Sequence, residues 1–151
     1  MHFTLLVCLL PLLAVAEKAC NVAHEEWAKA NANGPLPGAV EPRCDENGQY
    51  RDRICSGTDC WCVKPNGDEI PDYHHRITEL NVNAMDCKCA RVAAEYMETG
   101  LIGLYYSCTK EGGYEAVQCR GSTCFCTDVH GVKVGAAVRI EKSYTLKCSR
   151  S

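Results

Sequence analysis

Two short cysteine-rich segments hold the side chains of this sequence that are best able to do chemistry. Residues 55–62 read Cys-Ser-Gly-Thr-Asp-Cys-Trp-Cys, and residues 119–126 read Cys-Arg-Gly-Ser-Thr-Cys-Phe-Cys. Thiols at this density can bind zinc, act as nucleophiles or pair as disulfides. Because disulfides persist only in oxidising compartments, the destination of the protein decides between these chemistries.

The N-terminal segment predicts that the chain is secreted. Residues 3–15 carry no charge and are rich in leucine, and the segment ends in Ala14-Val15-Ala16, a pattern that signal peptidase reads. An apolar run of about 13 residues is too short for a membrane anchor, which needs about 20. We therefore predict a cleaved signal peptide at residues 1–16, a secreted, extracellular protein and no membrane partner.

Loss of this segment would remove Cys8 and leave twelve of the thirteen cysteines. An even, dense set in a short secreted chain predicts a disulfide framework and argues against a zinc site. If every thiol is paired, no cysteine nucleophile remains, so we expect no enzyme, no catalytic residue, no cofactor and no metal. His74 and His75 lie in a polar stretch and are interpreted as surface residues. The net charge of −3, without a basic stripe, predicts no nucleic-acid partner.

An internal repeat divides the chain. The spacing Cys-x10-Cys-x4-Cys-x-Cys begins at Cys44 and again at Cys108, and a further cysteine precedes each copy, at Cys20 and Cys89. The first copy is five residues longer between its first two cysteines, which predicts a longer loop. We expect two tandem modules at residues 17–87 and 89–148. Because only Lys88 separates Cys87 from Cys89, their relative orientation should be nearly fixed.

Each module is predicted to be small, disulfide-rich and α+β, with a short N-terminal helix and a small antiparallel sheet. The helices should run over residues 20–30 and 89–98, with Trp27 and Tyr96 packed in the core. Strands are expected near 49–54 and 61–64 and near 114–118 and 125–128, with turns at 66–67 and 130–131. The tails, 71–86 and 135–147, are polar and predicted to be strand-poor, held mainly by their last cysteine.

The strand pattern limits the cysteine pairing only in part. Alternation along a strand puts Cys60 and Cys62 on one face and Trp61 on the other. Neighbours two apart on a strand do not readily bond to each other, so Cys55–Cys60 is the expected short loop. The six cysteines of a module otherwise leave fifteen pairings open.

The motifs of both copies resemble the thyroglobulin type-1 repeat. The first carries Pro42-Arg-Cys44, Gly48-Gln-Tyr50 and Cys60-Trp-Cys62-Val63, and the second carries Gly112-Gly-Tyr114, Gln118-Cys119 and Cys124-Phe-Cys126. The first copy departs from the family in having Ile54 where Gln is usual. The resemblance implies that the cysteines pair first to second, third to fourth and fifth to sixth: Cys20–Cys44, Cys55–Cys60, Cys62–Cys87, Cys89–Cys108, Cys119–Cys124 and Cys126–Cys148.

Secreted proteins built only from such repeats resemble the thyropins, which inhibit papain-like cysteine proteases by inserting a wedge of loops into the active-site cleft. The resemblance thus implies a reversible inhibitor that acts as a monomer and whose partner is a papain-like cysteine protease. Two alternatives stay open. One is an extracellular binding module without inhibitory activity, and the other is a venom toxin with another target, since some two-repeat proteins resemble components of spider venom.

Two loops are the candidate contacts, loop 1 at residues 31–42 and loop 2 at residues 99–106. The prolines around Leu36 fix φ and remove amide donors, so this tip should be stiff, which lowers the entropy lost on binding. Loop 2 places aliphatic residues where burial is not expected; alternatively, both tips fold back onto the core. The candidate inhibitory residues are Gly34, Pro35, Leu36, Pro37, Gly38, Gly100, Leu101, Ile102, Gly103 and Leu104. Weaker candidates are the turns at 56–59 and 66–67 and at 120–123 and 130–131.

Overall fold

The fold consists of two copies of one arrangement, as seen in a computed structural model that describes residues 20–79 and 81–149. The predicted signal peptide, residues 1–16, lies outside the described residues. In each copy a helix is followed by a loop, a three-stranded antiparallel sheet and a short tail. The small disulfide-rich α+β class expected from the sequence is confirmed.

The first module begins with helix α1 (Cys20–Ala30) and continues with strands β1 (Arg53–Ser56), β2 (Asp59–Val63) and β3 (Glu69–Arg76). The strands pair antiparallel in the order β1-β2-β3. A single 3-10 turn, Val82–Ala84, lies in the tail.

The second module repeats this order. Helix α2 (Lys88–Glu98) precedes strands β4 (Val117–Arg120), β5 (Thr123–Thr127) and β6 (Lys133–Arg139), which pair in the order β4-β5-β6. Its tail is a 3-10 helix, Ile140–Thr145. Both predicted helices agree with the structure to within one residue.

The prediction of strand-poor tails is wrong, because each tail begins inside the third strand of its sheet, β3 or β6. These edge strands are largely solvent-exposed: Ile70 is the one buried residue of β3, and no residue of β6 is buried. They therefore lack the period-two pattern of a half-buried strand. The tail of the first module is also held by more than its last cysteine. The Arg53 guanidinium donates to the carbonyls of Val82 and Met85.

The first strand of each sheet also starts later than predicted. Tyr50 and Tyr114 each form only an isolated bridge, to Cys44 and Cys108 respectively, ahead of the strand. Gly48 precedes Tyr50 in a turn with φ near +77°, a conformation that interrupts a regular strand. The predicted strand over 49–54 is therefore a bridge followed by a separate strand.

The core of the first module is built mainly from cysteine. Its fully buried members pack with a few aliphatic side chains, among them Val63 and Ile70. Trp27 and Tyr96, predicted as core residues, are only half-buried. In the first module the physical reason is that Cys20 is the only residue of α1 to be buried, so the core does not cover the rest of this helix, Trp27 included.

Six disulfides staple the two modules, and they follow the pairing that the family resemblance implies. In the chain-entropy picture each loop of about 20 residues closed in this way stabilises a fold by about 3 kcal/mol, which suits domains too small for a large core. The pairs are Cys20–Cys44, Cys55–Cys60, Cys62–Cys87, Cys89–Cys108, Cys119–Cys124 and Cys126–Cys148.

Helix α2 of the second module packs on strands β2 and β3 of the first. Arg91, which is 9% exposed, pairs with the Asp52 carboxylate and donates to the Tyr50 carbonyl at 2.9 Å. Gly112 fits against the Cys62–Cys87 disulfide, since a Cβ there would lie 2.9 Å from Cys62 Sγ. These contacts support the expectation of a nearly fixed orientation between the modules.

Candidate functional site

Loop 1 leaves the end of helix α1 and is closed at its base by the Cys20–Cys44 disulfide. The side chain of Asn31, the first residue after the helix, holds the loop to it. Its Nδ2 donates to the Trp27 carbonyl at 2.7 Å, and its Oδ1 accepts from the Leu36 amide at 2.7 Å. One amide side chain therefore ties the Leu36 tip to the last helical turn.

Loop 2 leaves helix α2 in the same way and is closed by Cys89–Cys108. The hydroxyl of Thr99 donates to the Tyr96 carbonyl at 2.7 Å and accepts from the Leu101 amide at 3.2 Å. A polar residue just beyond the helix thus plays the same positioning role in both modules.

The tips of both loops point into solvent. Leu36 is 58% exposed, Leu101 65% and Ile102 97%, so these three side chains do not fold back onto the core. Leu104 differs, because it is half-buried and lines a groove of about 580 Å³ between the modules. The other candidate residues are exposed: Gly34, Pro35, Pro37, Gly38, Gly100 and Gly103.

Hydrogen bonds of a buried glutamine side chain also hold the base of loop 2, and loop 1 has no equivalent glutamine. Gln118, which is 5% exposed, accepts from the Ser107 amide at 3.0 Å and donates to the Ser107 carbonyl at 2.6 Å and the Glu115 carbonyl at 3.1 Å. The corresponding residue of the first module is Ile54, whose aliphatic side chain cannot form these hydrogen bonds. The two loops are therefore held to different extents.

Three of the predicted segments meet on the second module. A pocket of about 200 Å³ is lined by Tyr105 and Tyr106 of loop 2, by Arg120 of the β4–β5 turn and by Gly131 of the β5–β6 turn. Phe125 lies in the same pocket, with the guanidinium of Arg120 5.8 Å and the ammonium of Lys133 5.6 Å from its ring centre. The surface beside the C-terminal end of loop 2 is thus aromatic and positively charged.

The turns themselves have strong structural reasons for their sequences. A Cβ on Gly67 would lie 2.8 Å from the ring of Tyr50, and one on Gly131 would lie 2.5 Å from Tyr114. Asp128 shapes the second of these turns by accepting the amides of Val132 and His130. Those backbone hydrogen bonds, the one from Val132 first, lower the pKa of Asp128. Gly67 and Gly131 are therefore explained by packing without any contact to a partner.

Among residues 20–79 and 81–149, the cysteines leave no free thiol and the potential metal ligands form no metal centre. Every cysteine in these ranges belongs to one of the six disulfides, so none can supply a thiolate. No three histidine, cysteine or carboxylate side chains of the same ranges come together as metal ligands. No helix there is long and apolar enough to cross a membrane.

The sequence reasoning missed the residues that position the loops, namely Asn31, Thr99 and Gln118. Asn31 and Thr99 carried a local signal, because a short polar residue directly after a helix commonly bonds to the backbone. Gln118 was visible only as a family motif, since its partners Ser107 and Glu115 become neighbours through the bend before β4.

The thyroglobulin type-1 repeat profile matches residues 20–82 and 94–148, and the chain belongs to that family. Among individual proteins, it is 29% identical over 144 residues to U20-hexatoxin-Hi1a of Hadronyche infensa, covering 91% of this chain and 95% of the toxin. It is 28% identical over 130 residues to equistatin of Actinia equina, which covers 78% of this chain.

Two relatives, equistatin and a histocompatibility antigen gamma chain, are much longer than the region that this chain matches. The chain spans about half of equistatin, 54% of its length. A 42-residue stretch is 57% identical to the H-2 class II histocompatibility antigen gamma chain of Rattus norvegicus, covering 15% of that protein. The repeat therefore occurs in proteins of differing size and kind.

Proposed function

We propose that this protein is a secreted, reversible inhibitor of papain-like cysteine proteases that blocks the active-site cleft with loops. The observation that carries the proposal is the exposure of Leu36, Leu101 and Ile102 on loops closed by disulfides and pinned to their helices. Fully burying one such side chain contributes about 1.5–3 kcal/mol. Because the loops are already held in place before binding, little of this favourable free energy is offset by the entropy lost on ordering the loops.

The second module is the stronger candidate for the contact. Loop 2 lies beside the β4–β5 and β5–β6 turns. This loop and these two turns correspond to the three segments that form the inhibitory wedge in the family. It also has the more exposed tip and the Gln118 fastening. We propose that Gly100, Leu101, Ile102 and Gly103 enter the cleft and that loop 1 makes the lesser contribution. The protein acts as an extracellular monomer and has no enzymatic activity of its own in this proposal.

Inhibition assays with the oxidised full-length protein test the proposal. The protein is secreted from eukaryotic cells and titrated against cathepsin L-like, cathepsin B-like and aspartic proteases. Competitive inhibition of the first or second class is expected, and none of the aspartic class. Lack of inhibition at micromolar concentration would contradict the proposal.

Substitutions in the loop tips then locate the contact. Ile102→Asp is expected to weaken inhibition at least about tenfold, because a charge replaces about 1.5–3 kcal/mol of apolar burial. Leu36→Asp is expected to have a smaller effect. The matched control is Ile140→Asp, on an isoleucine of the same module that is 45% exposed but outside both loops. Equal inhibition constants for Ile102→Asp and Ile140→Asp would exclude loop 2 from the contact.

A second candidate function is that of a toxin with a different target. It is favoured by the match to a protein named as a hexatoxin over 95% of that protein's length. Paralysis of insects by the purified protein, retained in Ile102→Asp, would favour this alternative.

A further inference from the structure

The imidazole of His74 lies between two carboxylates on the sheet of the first module. Its Nδ1 is 2.8 Å from Glu69 Oε1, and its Nε2 is 3.5 Å from Asp59 Oδ1. The ring stacks on the indole of Trp61, with 5.2 Å between ring centres and 20° between planes. Trp61 and His74 are directly opposite each other on β2 and β3. Three side chains thus surround one imidazole.

This arrangement suits the protonated ring better than the neutral one. A neutral imidazole has one N–H and one lone pair, so it can donate to only one of the two carboxylates and turns its lone pair toward the other. The imidazolium donates to both and is also attracted to the face of the indole. The hydrogen bond to Glu69 is the main cause that raises the pKa of His74, and Asp59 acts in the same direction, against a partial loss of hydration.

The other charged groups around the imidazole come from β2 and β3. Asp59 also accepts the Thr58 hydroxyl at 2.9 Å and faces Arg76 across the ladder. His75 is bonded to the carbonyl of Lys110 in the second module, at 2.9 Å. Asp59 and Glu69 are therefore the two anions to which the imidazolium can donate hydrogen bonds, and it would bridge them.

Joining them links two parts of the module that are distant in sequence. Asp59 is the last residue of the β1–β2 turn, residues 56–59, whereas Glu69 is the first residue of β3. The same turn is joined to the end of β3 by the hydrogen bond from the Ile77 amide to the Thr58 carbonyl. His74 would add a charge-dependent link to this hydrogen bond, to the ladder pair of Asp59 with Arg76 and to the Cys55–Cys60 disulfide, which hold the turn at every pH.

We propose that His74 is a proton-operated clamp, which tightens the attachment of the β1–β2 turn to β3 when it is protonated and loosens it when the proton leaves. A histidine whose pKa is higher in the folded than in the unfolded chain adds stability that is complete below its ordinary pKa of about 6.5. That contribution disappears as the pH rises through the folded-state value. The turn is therefore held more firmly in acidic surroundings than in alkaline ones.

The second module has no counterpart of this clamp. Thr123 replaces Asp59 and Lys133 replaces Glu69, and β6 (Lys133–Arg139) contains no histidine. Its aromatic residue, Phe125, lies beside the cations Arg120 and Lys133 and not beside a histidine held by carboxylates. The pH response should consequently be confined to the first module, and the 120–123 turn serves as an internal reference.

Histidine NMR on the oxidised full-length protein between about pH 5 and 9 tests the proposal. The His74 ring is expected to titrate above pH 6.5, and the amide shifts of residues 56–59 should follow the same midpoint. Glu69→Gln and Asp59→Asn each remove one anion and should lower the midpoint, Glu69→Gln by about half a pH unit or more. In His74→Gln the pH response of residues 56–59 should disappear.

The matched control is Glu141→Gln, the same change on a carboxylate of the second module that pairs with Arg139. It should leave the His74 midpoint unchanged. A His74 midpoint at or below 6.5, or one that neither Glu69→Gln nor Asp59→Asn lowers, would overturn the clamp. Because the measurement is made on the protein without a partner, its result is independent of the proposed inhibitory function.

Discussion

At the scale of single residues, the same contact between a glycine and a tyrosine ring occurs in both modules. Gly67 lies under Tyr50, and Gly131 lies under Tyr114, each with positive φ. A side chain at either glycine would meet both a strained backbone and an aromatic ring. These glycines are therefore required by packing, whereas Gly121 has positive φ but nothing within 4 Å of its Cβ position.

Gly131→Ala and Gly121→Ala separate these two effects. Gly121→Ala should lower the free energy of unfolding by about 1 kcal/mol, the cost of a left-handed conformation for alanine. Gly131→Ala should lower it by about 2–4 kcal/mol, since the methyl group must also displace the Tyr114 ring. Denaturant unfolding with the disulfides intact measures both. Equal losses in the two variants would show that the ring contact is unimportant.

At the scale of elements, the two loops are equivalent in topology but differ in how firmly they are held. Each follows a helix, is closed by a disulfide and is pinned by a polar residue, Asn31 or Thr99. Only loop 2 is also fastened at its base by a buried glutamine. The difference arises from one position, Gln118 in the second module and Ile54 in the first.

Gln118→Ile gives the second module the residue of the first and should loosen loop 2. Ser107 is half-buried, and without Gln118 its amide loses its partner while its carbonyl keeps the Glu115 amide at 2.9 Å; the expected cost is about 0.5–1.5 kcal/mol for each hydrogen bond lost. Hydrogen exchange of the amides in residues 99–107 should become faster, and inhibition should weaken if loop 2 enters the cleft. The amides of loop 1 are the control, because Gln118 has no part in holding them. Unchanged exchange in loop 2 would contradict the positioning role.

At the scale of the whole molecule, the modules are joined by a packed interface as well as by the peptide chain. Arg91 of α2 reaches Asp52 and the Tyr50 carbonyl, and Gly112 packs against the Cys62–Cys87 disulfide. The groove beside this interface is lined by Tyr73 and Met97 as well as by residues of loop 2. The position of loop 2 is therefore fixed relative to the first module.

A double-mutant cycle on Arg91 and Asp52 tests this interface. Arg91→Met leaves Asp52 and the Tyr50 carbonyl unpaired and should destabilise the protein by about 1–3 kcal/mol. In combination with Asp52→Asn the loss should be less than additive, as expected for residues in direct contact. Residual dipolar couplings should also show wider inter-module motion in Arg91→Met. Strictly additive losses and unchanged couplings would mean that Arg91 and Asp52 do not help to set the orientation of the modules.

The sequence by itself determined the class of fold, the two copies and their helices. Those features depend on cysteine spacing and on local periodicity, which are properties of neighbouring residues. It did not reveal β3 or β6, because nearly all of their side chains are exposed and no period-two alternation of buried and exposed residues marks them. It also overestimated the burial of Trp27 and Tyr96, since helical periodicity shows which residues share a face but not how much of that face is covered.

Only the tertiary structure decided which side chains the disulfide-linked framework exposes. The exposure of Ile102, the partial burial of Leu104 and the placing of His74 between Asp59 and Glu69 depend on contacts between separate elements. Such contacts follow from how strands pair and how α2 packs on β3, which no local pattern encodes. The cysteine spacing therefore predicted the framework, whereas the packing of the strands and helices determines which side chains it exposes.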